Sequence, residues 1–115
     1  MGLAKELRTR REVKVRKVDV PEWGDESGAF ELYCRPVTCY DMNQLQKKHP
    51  NFLENTTIAA MVDLIVMKAE DQSGERLFTA ADDRMELMGE HTDVISNIAN
   101  QMFADLESEE DLVKN

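Results

Sequence analysis

Apolar positions change their spacing along this chain, and each spacing predicts a different element. The densest run is Ile58–Ala69, where ten of twelve residues are apolar and only Asp63 and Lys68 interrupt. A helix this apolar must be covered on most sides by other elements. At about 1.5 Å per residue it rises about 18 Å, well short of the roughly 20 residues needed to cross a bilayer. The run therefore predicts a central helix, with Thr56 or Thr57 as N-cap and with Asp63 and Lys68 marking a narrow strip that meets solvent. A buried strand over Val62–Val66 is the rival, which the length of the run and its alanines disfavour.

The C-terminal third shows a different period. Ile95, Ile98, Ala99, Met102 and Leu106 recur at steps of three and four, widened by Val94 and Phe103, which predicts an amphipathic helix capped by Thr92. Two shorter helices are marked by capping patterns. Thr38 with Asp41 opens one that turns Met42 and Leu45 inward and ends before Pro50. Thr79 with Asp82 opens another that ends near Gly89, with Met85 and Met88 on one side.

Near the N-terminus the period falls to two. Valines at 13, 15, 18 and 20 alternate within each pair but slip phase between Val15 and Val18, which predicts a strand over 12–20 with a bulge near Arg16 and Lys17. Pro21 is expected to end it and 21–28 to form a loop. A second strand over 29–37 places Phe30, Leu32 and Cys34 on one face. The fold class is thus α+β, an N-terminal antiparallel β-hairpin packed on a bundle of three to four α-helices. The domain spans 12–106, between a basic arm at 1–11 and an acidic tail at 107–115.

A chain of 115 residues suits one domain, which buries roughly 65% of its unfolded surface without needing staples. Its net charge of −9 argues against nucleic acid as a partner of the whole fold. The charge is divided, though. Residues 1–18 hold seven Lys/Arg against two Glu, a net +5, which leaves −14 for the rest. That asymmetry predicts homo-oligomerisation or a polyvalent charged partner, with Arg8, Arg10 and Arg11 as self-association residues; a solvated arm is the plain alternative. A small nucleic-acid- or host-regulator-binding module using this arm is the competing function, although the arm has no interleaved aromatics.

Candidate chemistry is sparse. Cys34 and Cys39 lie an odd number of residues apart, so on a strand they face opposite ways, and they are expected as reduced thiols of a cytosolic protein. No Cys/His cluster surrounds them, so no metal is expected. No phosphate-cradling glycine loop and no oriented nucleophile–base pair stand out, so neither catalytic residues nor a cofactor are expected. The N-terminus has no apolar core of a signal peptide, and no membrane partner is expected. Trp23 is the one large apolar residue a loop could expose as a partner anchor, although a loop Trp also folds back on its hairpin. The stripe carrying Ile98, Met102 and Phe103 is the second candidate partner surface, with packing on the central helix as its alternative role.

One resemblance goes further. Val20-Pro21-Glu22-Trp23-Gly24 after an Arg-rich start, then Leu32-Tyr33-Cys34-Arg35-Pro36-Val37, then Glu70-Asp71-Gln72-Ser73-Gly74 running to Leu77-Phe78, and a closing amphipathic helix follow one another in a fixed order. This order resembles the tail assembly chaperones of long-tailed (siphovirus-type) bacteriophages and prophages over roughly 8–106. The loop after Gly24 is longer than expected for that pattern, and 38–57 carries no matching motif. The resemblance implies a non-catalytic protein that binds the tape measure protein and helps recruit tail tube protein during morphogenesis. It also implies action in the bacterial host cytoplasm and absence from the mature virion.

Overall fold

Thr57 accepts a hydrogen bond from the Ala60 N–H through its hydroxyl, and this cap starts the helix around which the domain is assembled. The computed structural model describes residues 2–11 and 14–103, in the order α1 (Leu3–Arg10), β1 (Arg16–Asp25), β2 (Gly28–Cys34), α2 (Cys39–Lys48), α3 (Ile58–Lys68), α4 (Asp83–Met88) and α5 (Thr92–Met102). The central run is a helix and not a strand. It packs on α2, α4 and α5, while α5 in turn lies on β1. One core results, in which Val18 and Leu32 from the hairpin meet Leu64, Ile65, Ile95 and Ile98 from the helices. The class is α+β.

The hairpin is longer on one side than its valine pattern predicts. From Arg16 to Val20 the antiparallel register with Cys34 to Phe30 is regular, so no bulge lies at Arg16 and Lys17. Val15 precedes the strand and is exposed, so the phase slip marks the strand's start. The irregularity comes later. Between the Val20–Phe30 and Asp25–Gly28 pairs, Pro21–Gly24 stand opposite Ala29 alone. Pro21 is accommodated inside β1 because a bulged residue need not donate to the ladder. Gly24 has no substitute in this excursion, since a Cβ there would lie 2.3 Å from the Gly28 carbonyl oxygen. The tip is only Glu26 and Ser27, tied by the Asp25 carboxylate to the Ser27 N–H and hydroxyl.

Thr38 and Asp41 form the expected reciprocal capping box at the start of α2. The second pair does not. Asp82 makes no side-chain cap, and the Asp83 carboxylate accepts from the Ala80 N–H instead. Met85 on this helix is 76% exposed and Met88 is also exposed; Leu87 is the residue that enters the core. At α5 the cap position is His91, and Thr92 is the first helical residue. Phe52, in the turn between α2 and α3, is buried although no periodic pattern marks it. Glu12, Val13, Leu106 and the acidic tail lie outside the described residues. Among those described, no helix is long and apolar enough to cross a membrane.

Candidate partner-binding surface

The β1 excursion carries Trp23 to the middle of an aromatic cluster. Its ring stands edge-on to Phe30 on the neighbouring strand, with centroids 6.2 Å apart, and to Phe78, 6.1 Å away. Such edge contacts set the positive rim of one ring against the negative face of another. The indole N–H donates to Glu90 Oε2 at 2.6 Å, and the His91 N–H donates to Oε1 of the same carboxylate at 2.8 Å. These two donors, the indole foremost, hold the Glu90 carboxyl below its ordinary range. Trp23, Phe78 and Leu87 together with Glu86, Gly89 and Glu90 line an open depression of about 310 Å³. Trp23 is half-buried: it folds back over the domain and still presents an edge to this depression.

Two buried carboxylates hold the elements behind this surface. Asp63, expected at solvent, is only 7% exposed. Arg84 Nε of α4 donates to its Oδ1 at 2.6 Å, His49 Nε2 after α2 lies 2.7 Å from Oδ2, and Lys48 Nζ is 3.9 Å from Oδ1. Burial alone would raise the Asp63 carboxyl, but the hydrogen bonds from Arg84 and His49 and the charge of Lys48 outweigh it, and the group sits below its ordinary range. Glu70 is the other. The Arg35 guanidinium grips it with two bonds, 3.0 and 2.6 Å, and this pairing is the main cause that lowers its carboxyl. Tyr33 and Glu70 also exchange backbone hydrogen bonds at 2.8 Å, which ties β2 to the turn after α3. Lys68, the other expected solvent mark, is instead held by Asp41 at 2.8 Å and by the Pro36 carbonyl at 3.3 Å.

The residues singled out from sequence separate. Ile98 and Met102 are buried, because the stripe of α5 faces α3 and β1, and neither offers a free face. Phe103 is half-buried, its ring 5.8 Å from that of Phe52. Leu53, next to Phe52 in the chain, is 70% exposed. Trp23 is at the opposite kind of site, an aromatic depression with an acidic rim. Arg8 and Arg10 lie on α1, which buries none of its residues, and Arg11 follows it. Sequence patterning did not mark Asp63, His49 and Arg84 as a cluster; the polar break in an apolar run was the one available signal. Among the described residues, no group of three or more His, Cys, Asp or Glu is placed to hold a metal ion. Cys34 is buried, its thiol donating to the Arg35 carbonyl at 3.2 Å, and Cys39 is exposed.

Compared with known proteins, the chain matches no family model, no curated protein and no solved structure.

Proposed function

We propose that this chain is a non-catalytic tail assembly chaperone that binds a tape measure protein and helps recruit tail tube subunits in the host cytoplasm. The observation that carries the reading is the ordered set of motifs, Val20–Gly24, Leu32–Val37, Glu70–Gly74 and Leu77–Phe78. Their placement supports it: Trp23 of the first stands against Phe78 of the last, and Arg35 of the second holds Glu70 of the third. Four separate segments thus form one connected framework. A chaperone of a long helical protein needs a small rigid domain with apolar edges that accept a helix face. The edge formed by Leu53 and Phe103 is the surface we assign to the tape measure helix, in place of the buried Ile98 and Met102.

The test is co-expression with a tape measure protein from the same genome. The chaperone reading expects that protein to stay soluble and to be retained on the tagged chain. A Leu53→Asp, Phe103→Asp double variant should lose retention at a temperature where it is still folded, its unfolding midpoint being lowered because Phe103 packs partly on the core. An insoluble tail protein in both cases would overturn the function. Retention unchanged by the double variant would overturn the assigned edge.

A further inference from the structure

Among the helices described, α1 alone buries no side chain. Its eight residues fall short of the roughly 12–15 that an isolated helix needs to persist in water. Leu3 and Leu7, four apart and therefore on one face, are 66% and 51% exposed. Around them Lys5, Arg8 and Arg10 outnumber Glu6, so α1 carries a net +2. Among the described residues, none covers this apolar face of a short basic helix.

Elsewhere the same chain displays a surface of complementary chemistry. The Trp23–Phe78–Leu87 depression is apolar at its base and rimmed by Glu86 and Glu90. Residues 82–90 hold Asp82, Asp83, Glu86 and Glu90 against Arg84 alone, a net −3, and Arg84 is turned to Asp63. We infer that α1 of one copy seats Leu3 and Leu7 in the Trp23–Phe78–Leu87 depression of a second copy, with its cations facing Glu86 and Glu90. The occupant is a second copy because the chain itself supplies both halves of the complement, an exposed Leu3–Leu7 face on a basic helix and an acidic depression. Exchanged reciprocally, the contact forms twice about a two-fold axis, which doubles the buried surface. This inference does not depend on the chaperone reading.

Sedimentation of the full chain across a concentration series tests it. The wild type is expected to self-associate at low salt and to weaken as the Debye length falls from about 10 Å at 0.1 M to about 3 Å at 1 M. The Leu3→Asp, Leu7→Asp variant and the Glu86→Arg variant should each associate about tenfold more weakly or worse, with unchanged thermal unfolding. Mixing them should restore one of the two contacts, because the intact α1 of one variant then meets the intact depression of the other, so the mixture should associate more strongly than either variant alone and Trp23 emission should respond. A wild type that is monomeric throughout overturns the inference, as does association that neither variant weakens or a mixture that stays monomeric. A monomer whose Trp23 emission changes on Leu7→Asp would place α1 in its own chain's depression. Association that appears only with duplex DNA would assign α1 to nucleic acid. Either result also overturns it.

Discussion

Helices α1 and α3 are both short, yet they hold opposite positions in the molecule. Helix α3 is enclosed by α2, α4 and α5, and even its one acidic residue is buried. Helix α1 carries two leucines and encloses neither. Local pattern and the Thr57 cap account for α3 forming, whereas α1 has no side-chain cap; the larger difference lies in what surrounds them. Ten apolar positions in twelve leave no polar face, so α3 must be covered for the chain to fold at all. With two leucines among four charged residues, α1 can remain in water until a partner supplies the cover.

The widest test of this contrast is truncation. Leu64→Ala on α3 should cost about 2–5 kcal/mol, because the cavity left in a fully buried site adds to the lost transfer energy. Leu7→Ala on α1 should stay within about 0.5 kcal/mol in a dilute, monomeric sample, as surface changes do. Urea unfolding of both variants measures the gap, and equal losses would erase the distinction.

Asp63→Ala comes next. It should destabilise by about 1.5–3 kcal/mol, the range for hydrogen bonds to a charged group, since Arg84 and His49 lose their acceptor together. The same carboxylate sharpens the comparison through pH. Asp63, Glu70 and Asp41 are all held below their ordinary range in the fold. The folded protein therefore binds fewer protons than the unfolded chain in acid. Their stabilisation is complete above the unfolded values of about 3.9–4.3 and is lost as pH falls through the lower folded values. Thermal unfolding from pH 7 down to acid should show that decline, and Asp63→Asn should flatten it.

Gly24→Ala is expected to cost about 1–3 kcal/mol, as overpacking does, because the new Cβ meets a backbone carbonyl that cannot swing aside. The smallest effect is at Glu90→Ala, which removes the acceptor of the Trp23 indole. Emission of that single Trp should change while the unfolding midpoint barely moves.

Much of the fold was legible because its signals are local. The Thr38–Asp41 box, the Thr57 cap and the period of Ile95, Ile98, Ala99 and Met102 each act within one or two helical turns. What was misjudged depends on distant partners. Pro21 was expected to stop β1, but the strand continues through a bulge that brings Trp23 to Phe78 and to Glu90, 67 residues away. Asp63 was expected at solvent, yet its partners His49 and Arg84 stand 14 and 21 residues off along the chain. The candidate surface divided the same way. The α5 stripe was traced correctly from Ile95 to Met102, but periodicity alone does not distinguish a stripe that packs inward from one that binds a partner, and Ile98 and Met102 pack inward.

By itself the sequence determined that four helices follow an N-terminal hairpin, where α2 and α3 begin, and that the N-terminal arm is basic while the remainder is acidic. Those properties follow from side-chain period, capping chemistry and charge, all of which act over a few residues. Only the tertiary structure decided that the two polar breaks in α3 would be held by partners rather than by water. It alone also set Trp23 beside Glu86 and Glu90 and left Leu3 and Leu7 exposed. Burial belongs to neighbours in space, and a side chain's neighbours here come from segments that chain order keeps far apart.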